Sequence, residues 1–298
     1  MERSEEDYSI HKPVMIKEAI FYLDPKPNQI FIDATLDGGG HTKEILKRVK
    51  PNGKVLGIEH DAELINCIKS EKNLIIANGN FKDMASIVKK HSFENPKGVL
   101  FDLGLSSWHL EKSGRGFSFK KEEPLDMRFD TENNIETAAR IVNTQSFNLL
   151  REILIKYGEE PFSERIAHRI IVQRKQNKIL TTNDLVFAIK NAVPSWYRQR
   201  GVHFATRTFQ ALRIAVNNEM ENLKTGLEAA WSVLEKDGRL VVISFHSLEH
   251  RLVKEFIKDL ERKKEAKLLS KKAVKPSDEE IMSNPRARSA LLRVCEHL

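Results

Sequence analysis

Ile30-Phe31-Ile32-Asp33-Ala34-Thr35-Leu36-Asp37-Gly38-Gly39-Gly40-His41 decides the fold. A short apolar strand runs into an acidic residue and a glycine turn. A helix then follows from Thr42 to about Val49, with Ile45, Leu46 and Val49 on one face. These are the parts of a nucleotide-binding βα turn, where glycines adopt positive φ and let a ligand approach the backbone. Taken alone, the run reads equally as a loop without a ligand.

Moving outward, the pattern repeats. Pro51-Asn52-Gly53 is a turn, and Val55-Leu56-Gly57-Ile58 is a strand ending in Glu59-His60-Asp61. A helix over about 62–70 precedes strand Leu74–Ala77, and a helix over 84–90 precedes strand Gly98–Asp102. Strands separated by helices predict a parallel sheet with right-handed crossovers. After about Ser107 the pattern changes. The stretch 108–129 is rich in glycine and charge and lacks periodicity. Helical patterns then cover 135–142, 146–157, 162–175 and 182–193, the last with Thr182 as its cap and Asp184 in its first turn. The α/β pattern returns with a long helix over 208–235, broken near 222–226. Strand Leu240–Phe245, helix 248–264 and a terminal hairpin of 268–274 with 290–296 complete it. The expected architecture is an α/β fold with a mostly parallel sheet. Its main domain is discontinuous, 1–108 and 208–298, and is interrupted by a helical domain at 109–207.

Bulk composition narrows the class. The chain has 298 residues, 40% hydrophobic and 31% charged, with a formal net charge of +7. That suits a globular protein and is compatible with a polyanionic partner. Cys67 and Cys295 form no CxxC pair, so neither a metal site nor a disulfide framework is suggested. Residues 1–9 are acidic and polar, unlike a secretory signal. No apolar run approaches the roughly 20 residues needed to span a membrane. A cytoplasmic location without membrane association is expected.

The chemistry gathers at strand ends. Glu59 lies 19 residues after Gly40, where a carboxylate can accept hydrogen bonds from both ribose hydroxyls of an adenosine. The other reading is a solvated strand-end charge. Asp102, in Asp102-Leu103-Gly104-Leu105-Ser106-Ser107, ends another strand and so faces the same crevice. It could hold an amino group for in-line attack on a methyl, with Ser106 beside it, or merely cap the turn. There is no Walker Gly-Lys-Ser/Thr and no GxGxxG. Asp37 would sit badly beside a pyrophosphate, whereas a cationic sulfonium tolerates it. This leans toward S-adenosylmethionine over NAD.

Three stretches suggest RNA contact. Trp196 to Arg213 holds Arg198, Arg200, Arg207 and Arg213 among aromatics and no acid. Lys258 to Lys275 has eight basic and three acidic residues, and Asn284–Ser289 adds Arg286 and Arg288. The plainer readings are a linker with buried aromatics and a solvated helix face. Ser244-Phe245-His246-Ser247-Leu248-Glu249 contains Ser, His and Glu but no GxSxG elbow, so His246 reads as lining the substrate crevice or ordering its loop. The candidate RNA contacts are Arg198, Arg200, Arg207, His246, Arg286 and Arg288.

These motifs resemble the ribosomal RNA small-subunit methyltransferase H (RsmH/MraW) family over nearly the whole chain. The resemblance rests on His11-Lys12-Pro13-Val14, Asp33–Thr42, Asp102–Ser107, Arg115-Gly116-Phe117-Ser118-Phe119, Pro124-Leu125-Asp126-Met127-Arg128, Ala205–Asn217, Ile243–Glu249 and Asn284–Arg293. It implies a Rossmann-like class I methyltransferase fold with an inserted helical substrate-recognition domain. It also implies methyl transfer from S-adenosylmethionine to the exocyclic N4 of a cytidine in small-subunit (16S) ribosomal RNA, at the decoding centre. Implied cofactor contacts are Gly39, Gly40, His41, Glu59, Phe81, Asp102 and His109. The implied partner is 16S ribosomal RNA or the small ribosomal subunit, with a homodimer left open. The chain departs from the family pattern at Asp37, usually glycine, Glu59, usually aspartate, and His109, commonly glutamine. Phe204 replaces a proline and His250 an aspartate. Two alternatives stay open: the same fold acting on another substrate, and a non-catalytic RNA-binding factor, which Asp37 keeps in view.

Overall fold

The computed structural model describes residues 13–199 and 201–298, so His11, Lys12 and Arg200 lie outside the described residues. The chain divides into two compact units, 1–106 with 220–298, and 107–219.

The first unit begins with α1 (Ile16–Leu23), β1 (Ile30–Asp33), α2 (Gly40–Val49), β2 (Lys54–Glu59), α3 (Ala62–Ile65), β3 (Leu74–Asn78), α4 (Met84–Lys90) and β4 (Gly98–Asp102). The chain then enters the second unit through α5 (Ser107–Glu111), α6 (Ala138–Thr144), α7 (Phe147–Gly158), α8 (Ser163–Gln176), α9 (Thr182–Ala192), α10 (Ser195–Arg198) and α11 (Thr206–Asn217). It returns with α12 (Glu219–Val233), β5 (Arg239–Ser244), α13 (Ser247–Arg262), β6 (Ala266–Leu268), α14 (Asp278–Ser283) and β7 (Leu291–His297).

The seven strands form one sheet in the order β3-β2-β1-β4-β5-β7-β6. Neighbours from β3 to β5 pair in parallel, and β7 runs antiparallel to both β5 and β6. This is the Rossmann-like, mostly parallel arrangement that the sequence predicts. Both sheet faces are buried, which is why the strands read as apolar runs rather than as alternating patterns. Successive residues go to opposite faces. Ile32, Leu56, Val99, Phe101 and Val242 pack with Leu223 and Leu227 of α12 and Val253 and Ile257 of α13. Phe31, Val55, Leu100 and Val241 pack with Ala19 and Leu23 of α1 and Ile45 and Val49 of α2.

The second unit is helical and held by contacts remote in sequence. Beyond α5, the stretch 112–129 lacks periodicity because isolated backbone bonds and side chains, not a regular ladder, satisfy its backbone. The Arg115 guanidinium donates to the carbonyls of Arg128 (2.9 Å) and Phe129 (3.1 Å) and lies over the Trp108 ring. Asn217, at the end of α11, accepts from the Phe129 N–H (2.9 Å) and donates to the Met127 carbonyl (2.7 Å). Arg128 grips Asp126 with two bonds of 2.7 Å.

Several expected boundaries move. The expected unit boundary at 207/208 falls inside α11, and the compact second unit runs on to Glu219. The reason is packing: Gly158 of α7 brings that helix so close to α11 that an added Cβ would stand 2.7 Å from the Arg207 carbonyl. The long helix expected over 208–235 breaks at Asn218, whose φ is 49°, rather than at 222–226. Thr181, not Thr182, caps α9, and it forms a capping box with Asp184. The helix expected over 62–70 stops at Ile65. Among the described residues no helix is long and apolar enough to cross a membrane.

Candidate functional site

Ligands of an open parallel sheet bind outside the carboxyl ends of its strands, where the strand order reverses. Here that point lies between β1 and β4 of the first unit. Three strands end there in acids: Asp33 on β1, Glu59 on β2 and Asp102 on β4, all buried. Backbone bonds tie the ends together, Ala34 N–H to the Leu100 carbonyl (2.8 Å) and Leu36 N–H to the Ile58 carbonyl (3.0 Å).

The glycine turn fits between these ends. Asp37 has φ 46°, in the left-handed region that asparagine and aspartate tolerate best after glycine. Its N–H donates to Glu59 Oε2 at 3.0 Å, while the Asp61 N–H donates to Oε1 at 2.9 Å. The His60 amide also bonds to this carboxylate, so three amides fix Glu59, with lone-pair capacity left for a further donor. Gly39, with φ 72°, is the N-cap of α2; no side chain caps that helix, and a Cβ on Gly39 would meet nothing within 4 Å. The space beside Gly39 is open to a ligand. Gly40 is required for a different reason. A Cβ there would lie 2.9 Å from Pro13 Cγ, so its smallness serves packing against the start of the described chain.

Asp33, read in the sequence as the acidic residue between strand and glycine turn but not among the candidate contacts, lies at the same strand ends. Its carboxylate accepts from the Thr42 hydroxyl at 2.6 Å and the Thr35 N–H at 3.3 Å. The visible signal was that it ends β1 as Glu59 ends β2. Thr35 also accepts from the Asp102 N–H at 2.6 Å, joining β1 to β4. His41 is buried, with Nε2 3.0 Å from the Val14 carbonyl and Nδ1 3.6 Å from Asp102 Oδ2. Bonding to a carbonyl requires the proton on Nε2, so a neutral His41 turns its unprotonated Nδ1 toward Asp102.

The electrostatics are one-sided. Burial pushes Asp33 up to about 6, and both Glu59 and Asp102 up to about 7. Asp37 is raised by burial and then by the charges of Glu59, Asp102 and Asp33. His41 is pushed below its ordinary value by burial, so it does not supply the missing positive charge. Four carboxyl groups beside the uncapped start of a helix suit a ligand that is cationic at one end and has a carboxylate at another. A sulfonium nucleoside with an amino-acid tail has that charge pattern, and a pyrophosphate does not. The residues present therefore fit S-adenosylmethionine.

Phe81 stands just past β3, in a turn that Asn80 caps by accepting from the Lys82 N–H at 3.0 Å. Its ring meets Phe101 edge-on with centroids 5.4 Å apart, and Gly226 of α12 makes room for it. Ser106 is buried at the end of the loop after β4. His246 acts in its own loop: its Nδ1 accepts from the Glu249 N–H at 3.4 Å, and the Glu249 carboxylate accepts from the His246 N–H at 3.3 Å, as well as from the Phe245 N–H at 2.8 Å. That arrangement is a capping box for α13. Arg286 is half-buried and Arg288 exposed on a short turn before β7.

The other expected site residues belong to the second unit. His109 is buried on α5 among Trp108, Phe117 and Phe129, with centroids 5.0–5.4 Å away. Arg198 ends α10 and is exposed. Arg207 is exposed on α11 and donates to the Glu159 carbonyl. Arg213 is spent on a two-bond grip of Glu219 at 2.8 and 2.9 Å.

The chain has known relatives along its whole length. A model of the MraW methylase family matches residues 8–298. A Dictyoglomus thermophilum protein named ribosomal RNA small subunit methyltransferase H is 45% identical, with 98% of each chain covered. Proteins of the same name from Thermosipho melanesiensis and Halothermothrix orenii are 44% and 43% identical, each covering 97% of this chain and 98% of their own.

Proposed function

Because the chain belongs to the MraW methylase family, we propose that it is a cytoplasmic enzyme methylating the exocyclic N4 of a cytidine in small-subunit (16S) ribosomal RNA, at the decoding centre, with S-adenosylmethionine as donor. The observation that carries this reading is the crevice of Asp33, Asp37, Glu59 and Asp102 at the sheet's switch point, in a chain whose relatives match it end to end.

S-adenosylmethionine supplies a methyl group activated by the sulfonium. Glu59, aimed by the Asp37 and Asp61 amides, takes the ribose hydroxyls. The open backbone at Gly39 and the first turn of α2, including Gly40 and His41, face the amino-acid end. Asp33 and Asp37 offset its positive charges. The Phe81 ring offers an apolar wall for the adenine; the family resemblance also implies a contact from His109.

The target base must be unstacked, as chemistry on a base requires. Its amino lone pair is delocalised into the ring and is a weak nucleophile. Asp102 accepts a hydrogen bond from that amino group, with Ser106 nearby in the chain, and favours the geometry for in-line attack. The amino nitrogen would take the methyl group of bound S-adenosylmethionine, which would leave as the neutral thioether. The amino proton leaves for Asp102, whose value near 7 lets it accept at neutral pH, or for water. Arg198, Arg200, Arg207, Arg286 and Arg288 supply cations for the phosphates, and His246 orders its loop.

The test is methylation in vitro of 30S particles and of naked small-subunit RNA, followed by mapping of the modified nucleotide. A methyl group on cytidine N4 is the expected result. Methyl incorporation only into protein, or none into either RNA substrate, overturns the reading.

A further inference from the structure

The second unit carries a stack of three rings. Phe119 and His203 lie parallel, with centroids 4.3 Å apart and an interplanar angle of 11°. His203 and Phe204 follow at 4.3 Å and 30°. The buried Phe209 of α11 braces the far side, meeting Phe119 edge-on at 5.4 Å. Two neighbouring residues stack in this way only if the backbone holds them. The Ala205 N–H donates to His203 Nδ1 at 3.3 Å and the Thr206 N–H to the His203 carbonyl at 3.0 Å, forming the turn that starts α11.

This stack is not a closed core. His203 is exposed, and Phe119 and Phe204 are half-buried. Partial desolvation keeps the imidazole below its ordinary value, so at neutral pH it stacks as a neutral ring. Lys120, Arg198 and Arg207 are exposed cations of the segments that carry the rings, and no acidic residue occurs from 196 to 213, although the Glu160 carboxyl interacts with Arg207. Preordered flat rings with cations beside them suit an unpaired base on its phosphodiester backbone.

We propose that the Phe119–His203–Phe204 stack is a docking platform for an unpaired nucleobase of the RNA substrate, which stacks on the open end of the column at Phe204. This rests on the reading of the substrate as RNA. A base inside a duplex is already stacked on both faces and has nothing to gain from the column, so the platform selects single-stranded segments. The rings hold the strand, and the exposed cations follow its phosphates.

The experiment measures the affinity of the full chain for a labelled single-stranded RNA of small-subunit sequence spanning the target cytidine, and for the same strand annealed to its complement. Phe204→Ala is expected to weaken single-strand binding roughly 5- to 150-fold, the worth of one base–aromatic stack, and to leave duplex binding unchanged. Phe204→Trp restores it. If Phe204→Ala melts below the assay temperature, Phe204→Leu keeps the apolar volume without the π face and carries the same comparison. Equal single-strand affinity in wild type and variant, or equal losses on both RNAs, overturns the proposal. Methylation by the wild type separates this proposal from the functional reading. If the wild type modifies small-subunit RNA and the variant binds single strands normally, only the stacking proposal fails. If the wild type modifies no RNA but Phe204→Ala loses single-strand binding, the platform stands and the substrate assignment falls.

Discussion

Asp102 carries more of the proposed chemistry than any other side chain. Asp102→Asn keeps a hydrogen-bond acceptor but loses the charge and the capacity to take a proton. At saturating S-adenosylmethionine it should lower the methyl-transfer rate constant by about 10²-fold or more, with cofactor affinity read separately by calorimetry. A full rate with normal cofactor affinity would remove Asp102 from the mechanism. The carboxyl cluster makes a second prediction, about pH. Asp33, Glu59 and Asp102 have folded-state values of about 6, 7 and 7, above the ordinary range near 4. Between pH 4 and 7 the folded, ligand-free protein binds more protons than the unfolded chain, so these groups' contribution to stability falls as pH rises. A cationic ligand favours their ionised forms. Cofactor affinity should therefore rise from pH 5.5 to 7.5, with protons released on binding. S-adenosylhomocysteine, neutral at sulfur, should show a shallower dependence. Calorimetry in buffers of different ionisation enthalpy checks this, and equal pH profiles for the two ligands would count against it. A non-catalytic homologue is tested in the same titration by its failure to bind S-adenosylmethionine.

At the scale of elements, helices position side chains they do not contain. Gly226 of α12 is the clearest case, because a Cβ there would lie 2.5 Å from Phe81 Cδ2. Alanine is the better helix former by about 1 kcal/mol, yet Gly226→Ala should not raise the melting temperature. Displacing a packed ring costs about 1–3 kcal/mol, and the displaced ring should weaken cofactor binding. A variant that melts higher and binds as well as wild type would show that Phe81 is not held this way. The cap of α9 gives a simpler case. Thr181→Ala removes the acceptor for the Asp184 N–H and should cost about 1 kcal/mol in urea denaturation. Sequence reading placed the cap one residue late because both positions are threonine. The structure separates their roles: the Thr182 hydroxyl donates to the Lys121 carbonyl at 2.6 Å and pins the preceding loop instead.

The whole molecule carries a formal charge of +7. If RNA phosphates meet its exposed arginines and lysines, log affinity for RNA should fall linearly with log salt, by about 0.7 per phosphate contact for a single strand. S-adenosylmethionine, in the buried crevice proposed for it, should respond far less over the same salt range. Titrations at several salt concentrations read both, and parallel slopes would contradict the assignment of the two ligands to different kinds of site. At this scale the chain's interruption also becomes clear. Residues 107–219 form a compact unit inserted in the chain between β4 and the segment that carries β5, β6 and β7.

The sequence by itself determined the strands of the sheet, the acidic strand ends and the glycine turn. Each is written in neighbouring residues: a strand buried on both faces must be an apolar run, and a left-handed backbone selects glycine or a small acid or amide. Only the tertiary structure decided which strand lies beside which, and hence that Asp33 and Asp102 share one crevice. It also decided that Gly40 answers to Pro13, that α11 belongs with α7, and that Arg115 and Asn217 order the aperiodic stretch between Trp108 and Phe129. In each of these the two partners lie well beyond one helical turn, from 13 residues apart for Arg115 and Arg128 to 90 for Asn217 and Met127. No local pattern records such a pairing, because its energy is gained only when packing has already brought the segments together.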